Sequence, residues 1–192
     1  MADNALLSST EEDWGTPAPY VALARDVMGG IDLDPASDAY WQYHVIKAGT
    51  FYDEQINGLA RPWFGRVFHN APSNRELKIS VRPWWERLCE YYLRGEVDCA
   101  IWIGFQLGQL QTLQGAPAHP LQFLNLFPAS RIDFLKRMPS NAPPQPAGSP
   151  THANFITLLP TRRSPDAARA MLSRFIERSR DLEIGGALVR PV

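Results

Sequence analysis

The sequence predicts an α/β domain in which a mixed, mostly parallel β-sheet carries helices on both faces. Three observations predict it. Residues 98–105 form a nearly continuous apolar run of strand length, the pattern of a strand covered on both sides. Residues 82–94 and 165–180 repeat apolar side chains at helical spacing. Strand-like and helix-like stretches alternate along the chain, the order that places a sheet between helix layers. At 192 residues and 45% hydrophobic content, one domain with a sizeable core is expected over residues 14–192.

Each element follows from local pattern. Residues 1–13 are polar and acidic and read as a loose start. Trp14-Gly15-Thr16-Pro17 reads as a turn. Residues 19–28 read as a helix with Tyr20, Leu23, Ala24 and Val27 on one face, stopped by Gly29-Gly30. Ile31-Asp32-Leu33-Asp34 is a short strand closed by Pro35, and residues 36–62 read as mostly irregular. Val67-Phe68 starts the next strand. In the helix of residues 82–94, Trp85, Leu88, Cys89 and Tyr92 share a face and Gly95 ends it. After the strand of residues 98–105 come a short helix at 106–114 and strand candidates at 123–127 and 131–135. A proline-rich loop at 138–150, a strand at 153–159 and the helix of 165–180 complete the order.

Composition excludes little but directs attention. A net charge of -1 provides no global field for nucleic acid, so DNA contact needs a local patch. Arg61, Arg66, Arg75, Lys78, Arg82 and Arg87 can form one. Cys89 and Cys99 are the only cysteines, without the paired spacing of a zinc site, and two isolated thiols fit a reducing cytosol. No apolar stretch approaches the ~20 residues of a membrane span, and the chain start lacks a signal-peptide pattern. A membrane partner is therefore not expected.

The ends of three strands carry polar, turn-forming residues: Asp34-Pro35, Asn70-Ala71-Pro72 and Gly104-Phe105-Gln106. In an open α/β sheet ligands sit beyond the carboxyl ends of strands, so these loops should line one cleft. Asp34 can cap its own turn or face a cofactor or substrate amine. His69 should point away from Asn70, because strand side chains alternate. His152, beside Thr151 and Asn154, is the better acid-base candidate, since imidazole titrates near neutrality. Ser73, Asn74 and Arg75 form a polar loop able to hold phosphate, with Lys78 and Arg82 nearby. Trp85 and Trp102 read as core, whereas Trp84 lies off the core face and is a candidate for contact with a DNA base or a protein. Gln106 sits at the cleft edge, and Gln109 and Gln111 read as surface residues.

Asp13-Trp14-Gly15-Thr16-Pro17, Ile31 to Ser37, Asn57-Gly58-Leu59, Trp63 and Val67-Phe68-His69-Asn70-Ala71-Pro72 occur in this order. Together they resemble the phage-type DNA adenine-N6 methyltransferase (Dam-like) family over roughly the first half of the chain. Ser149 to Asn154 followed by a strand suits the end of that family's domain. The resemblance implies a Rossmann-like fold, DNA as partner, S-adenosylmethionine as donor, and work in the cytoplasm of a phage-infected bacterial host. It implies Thr16-Pro17 at the methionine end of the donor and Asp34-Pro35-Ala36 on the first cofactor loop. Asn70 and the Ala71 carbonyl would hold the target amine.

Two departures stand out. No GxGxxG loop follows the first strand. The usual Asn/Asp-Pro-Pro-aromatic motif is Asn70-Ala71-Pro72-Ser73 here. An exocyclic amine is a poor nucleophile whose hydrogens must be accepted to aim its lone pair. The motif's aromatic ring stacks the flipped base, worth ~1–3 kcal/mol. Ser73 lacks that ring, and Ala71 lacks the stiffness of proline. Three readings follow. The first is an adenine methyltransferase with Trp14, Trp84 or another ring in place. The second is a repurposed fold that transfers another group, such as an amino acid, onto an activated pyrimidine with His152 as base. The third is a non-catalytic DNA-binding module.

Overall fold

Local chemistry sets the longer helices where the sequence places them, and a short helix also forms within the stretch read as mostly irregular. The computed structural model describes residues 14–72, 80–148, 152–182 and 184–190. After a short strand β1 (Trp14–Gly15), helix α1 (Ala18–Met28) stops at Gly29, whose φ of 77° is the left-handed cap that glycine adopts without strain. Strand β2 (Leu33–Asp34) leads to α2 (Ala39–Trp41), which continues as a π turn through Gln42–Ile46. Asp38 caps α2, its Oδ1 accepting from the amides of Tyr40 at 2.8 Å and Trp41 at 3.2 Å. Strands β3 (Thr50–Phe51) and β4 (Gly65–Asn70) precede helix α3 (Arg82–Arg94), whose bounds match the sequence expectation and which ends at Gly95.

Strand β5 (Val97–Gly104), helix α4 (Gly108–Thr112) and strands β6 (Leu124–Phe127), β7 (Leu135–Lys136), β8 (Gln145–Pro146) and β9 (Phe155–Leu159) follow. Helix α5 (Pro165–Asp181) and strand β10 (Ala187–Val189) close the order. Ser164 caps α5 by accepting from the Ala167 amide at 3.1 Å.

Among the described residues, seven strands form one sheet in the order β10-β6-β9-β5-β4-β2-β3. β3, β2, β4 and β5 pair parallel, whereas β5-β9, β9-β6 and β6-β10 pair antiparallel. The expected mostly parallel sheet is thus corrected to an evenly mixed one. The reason is the insertion of β9, which runs back between β5 and β6 and reverses the pairing on both its sides. A second small sheet, β1-β7-β8, is antiparallel. Trp14-Gly15, expected as a turn, is one of its strands. The run at 131–135 contributes only Leu135 to a strand, and the proline-rich stretch contains β8.

β5 shows how the two helix layers are separated. Cys99, Ile101 and Ile103 join the core beneath α1 and α5. Ala100 and Trp102 join the core beneath α3. Period-two alternation in an apolar strand therefore feeds two cores at once. Trp63, Trp85 and Trp102 are fully buried in the second core, where Trp85 Nε1 donates to the Ala118 carbonyl at 2.7 Å.

Candidate active site at the strand ends

β5, β4 and β2 are parallel neighbours, so Gly104, Asn70 and Asp34 finish side by side on one sheet edge. Val67 on β4 belongs to the α3 core, and His69 lies among that core's tryptophan rings; Phe68 belongs to the α1/α5 core. Asn70 continues the Phe68 face. It is partly exposed, and among the described residues its Nδ2 donates to the Trp14 carbonyl at 3.4 Å, longer than the usual ~2.9–3.0 Å. Its amide is therefore weakly committed.

Trp14 is here because Gly15 lets it be. A Cβ at position 15 would stand 2.1 Å from the Trp41 ring, so β1 can lie flat on that ring only with glycine. β1 then pairs with β7, carrying Trp14, 39% exposed, past the end of β4. Gly58 works the same way one loop over. Its Cβ would meet the Pro35 carbonyl at 1.9 Å, and its own carbonyl accepts from Trp63 Nε1 at 2.9 Å. The Asn57-Gly58-Leu59 motif thus braces the loop that follows Asp34.

Asp34 is buried and accepts from Gln42 Nε2 at 3.1 Å and from the Ala36 amide at 3.3 Å. Gln42 also donates to Ser37 Oγ at 2.9 Å and accepts from the Ala48 amide at 2.8 Å. Burial raises the Asp34 carboxyl to about 7 against the lowering pull of these hydrogen bonds. Of the two roles left open for Asp34, the geometry favours turn anchor. Pro35 backs onto Gly58, and Ala36 is partly exposed beside it. Thr16 is buried, and its hydroxyl has no hydrogen-bond partner among the described residues. Pro17 caps α1, its carbonyl accepting from the Tyr20 amide at 3.1 Å.

His152 is exposed and stands edge-on to the half-buried Phe105 ring, centroids 5.0 Å apart. Phe134 flanks the same ring at 5.4 Å. Asn154 is buried and joins three loops: its Nδ2 donates to the Phe105 carbonyl at 2.5 Å and its Oδ1 accepts from the Ile132 amide at 2.8 Å. The edge therefore gathers Trp14, Thr16, Asn70, Phe105 and His152. Sequence placed Phe105 in a cleft-lining segment without giving its ring a role, and Phe134 was not singled out. The available signal was an aromatic residue standing directly after the apolar run of β5.

Several expected contact residues are placed elsewhere. Trp84 is only 4% exposed, packed against Trp63 and His69. It is a core ring and not a DNA contact, because the turn of α3 that carries it faces the sheet as fully as Trp85 does. Arg82 is committed to Glu86 at 2.8 Å and to the carbonyls of Thr112 and Gln114 at 2.7 and 2.5 Å, so it ties down the loop after α4. Arg66 forms a two-point pair with Asp32 at the opposite end of β4, holding the Asp32 carboxyl below its ordinary range. Arg87 donates to the Arg61 carbonyl on the outer side of α3. Arg61 and Arg87 thus meet beside α3, whereas Arg66 lies at the far end of β4. Gln109, expected on the surface, is buried. Ala71 packs its methyl into the α3 core, and Pro72 is partly exposed. Ser73, Asn74, Arg75 and Lys78 lie outside the described residues.

His69 points away from Asn70, as strand alternation requires. It is fully buried among Trp63, Trp84 and Trp102, with neither ring nitrogen hydrogen-bonded among the described residues. Burial pushes it down to about 3, so it is a neutral core residue at ordinary pH.

Comparison with known proteins finds no matching family model, no matching curated protein and no matching solved structure. No helix among the described residues is long and apolar enough to cross a membrane.

Proposed function

We propose that this chain is a DNA base-modifying transferase acting on a base extruded against Asn70. Its simplest version is methyl transfer from S-adenosylmethionine to adenine N6, on a Rossmann-like scaffold. One observation carries the reading: an asparagine amide that is weakly committed among the described residues ends a central parallel strand, beside the exposed Trp14. Its Oδ1 is of the type that accepts an amine hydrogen, and rings nearby suit a planar base.

The buried Thr16 hydroxyl, unpaired among the described residues, gives this edge a polar anchor, which fits a donor's polar end. Thr16, Pro17 and the Asp34-Pro35-Ala36 turn would hold S-adenosylmethionine, which when bound supplies an electrophilic methyl group. Asn70 and the Ala71 carbonyl would accept the amine hydrogens and orient the lone pair, and no covalent bond to the protein is needed. Cys89 and Cys99 are buried with their thiols raised to about 12, consistent with a route that uses neither.

The exposed His152 beside Phe105 favours a second reading, transfer of a non-methyl group such as an amino acid onto an activated pyrimidine. There the incoming amine would displace the pyrimidine's activating group, which leaves with the bonding electron pair, and His152 would take the proton the amine sheds. Calorimetric titration with S-adenosylmethionine and S-adenosylhomocysteine separates the two. Micromolar binding is the expected result. Absence of binding by folded protein sinks the methyl-transfer version and turns the search to amino donors and modified DNA.

A further inference from the structure

Position 73 is serine, where the motif it resembles carries an aromatic ring. We infer that Phe105 is the stacking platform for the extruded base, with Trp14 beside it. This rests on the proposal that DNA is the substrate and adds the residue that would hold the base.

The placement follows from strand register. Asn70 pairs with Ile103 across the parallel β4–β5 ladder. Phe105 lies two residues further along, so its side chain leaves β5 on the same face as Ile103 and Asn70. It packs against the same α1/α5 core as Ile103 while remaining half-buried. A diagonal neighbour of this kind lies ~7–8 Å away, within reach of an aromatic side chain. A planar ligand whose polar edge meets the Asn70 amide therefore brings its face to Phe105.

The ring is also held in advance. Phe105 O accepts from Asn154 Nδ2, and the Leu107 amide donates to the Ala153 carbonyl at 3.0 Å. Both bonds lock the residue after β5 to the loop before β9. Phe134 lies tilted at 42° and His152 edge-on at 61°, so neighbouring rings brace the phenyl group. Gly104 permits this bend: its Cβ would stand 2.2 Å from the Phe155 ring on the opposite face. Backbone and ring are ordered before any ligand arrives, which lowers the entropic cost of stacking.

The test uses the full chain and fluorescein-labelled single-stranded oligonucleotides of mixed sequence, one with 8-azidoadenine replacing adenine and one with iodouracil replacing thymine. Both photoreactive bases crosslink on irradiation to the residues they touch, and peptide mapping locates the bond without requiring turnover. The expected result is a crosslink to the peptide carrying Phe105. Phe105→Leu should lose that crosslink and weaken binding about 10-fold, while Phe105→Tyr keeps both. Crosslinks that map away from Phe105 with both oligonucleotides in the unaltered protein, with Phe105→Leu binding unchanged, overturn the stacking role and leave DNA as substrate. Failure of the unaltered protein to bind either oligonucleotide overturns both. If Phe105→Leu does not fold, the crosslink map of the unaltered protein alone decides.

Discussion

The two faces of β4 treat adjacent residues in opposite ways. His69 enters the α3 face, where three tryptophan rings close around it and leave its nitrogens unpaired among the described residues. Asn70 enters the α1/α5 face at the strand end, where one long hydrogen bond among the described residues commits its amide only weakly. A reactive-looking side chain is sealed into packing, and a modest amide is presented at the edge. Exposure and free hydrogen-bonding capacity separate a site from a core, and residue type alone does not.

The largest contrast is functional. Asn70→Ala should reduce transferase activity to background while the melting temperature stays within a few degrees, because the side chain supports little of the core. A variant with full turnover would remove Asn70 from the site. On the other face the largest effect is on stability. Trp102→Ala should cost about 3–5 kcal/mol, read from urea denaturation, since its ring is fully buried against His69 and Trp85. A smaller loss would mean that the α3 core collapses around the gap.

Gly15→Ala tests how Trp14 is held over the edge. The new methyl would drive into the Trp41 ring, costing about 1–3 kcal/mol by overpacking and changing Trp14 fluorescence. An unchanged spectrum and stability would place β1 away from that ring.

Titration acts with opposite signs on the two faces. His69 is depressed to about 3 against ~6.5 unfolded. The unfolded chain then binds the extra proton, and stability falls as pH drops from roughly 6.5 towards 3. Asp34 is raised to about 7 against ~3.9 unfolded. Its contribution is fully present below roughly pH 4 and is lost as pH rises through 7. The two slopes oppose each other between about pH 4 and 6.5. His69→Leu, within about 1.5 kcal/mol of the parent at pH 7, should therefore leave a protein that is relatively more stable in acid. Asp34→Asn should leave one that loses stability more steeply on acidification. Parallel pH profiles for all three proteins would contradict this pairing.

The legible parts of the molecule were those governed by neighbours in the chain. Glycine stops and apolar spacing placed α1, α3 and α5 within a residue or two, and the run from Asp98 placed β5. Asn70 at a strand end and His69 pointing away from it were also readable, because alternation along a strand is local. The pair Asp34 and Gln42 was not, since their contact depends on how α2 folds back over β2. Nor was Trp84, whose burial depends on where α3 docks.

Chain pattern settled that this is an α/β protein with polar residues ending its parallel strands. It also settled which single asparagine stands at the end of β4. Tertiary structure decided that β9 returns antiparallel and makes the sheet evenly mixed. It also decided that β1 crosses the strand ends and that Phe105 lies on the Asn70 face beside His152. The physical reason is range. Helical spacing and strand alternation are set by covalent geometry over a few residues. Strand order, the flat approach of Gly15 to Trp41 and the clasp of Asn154 on Phe105 are contacts between distant segments, formed only when the whole core packs.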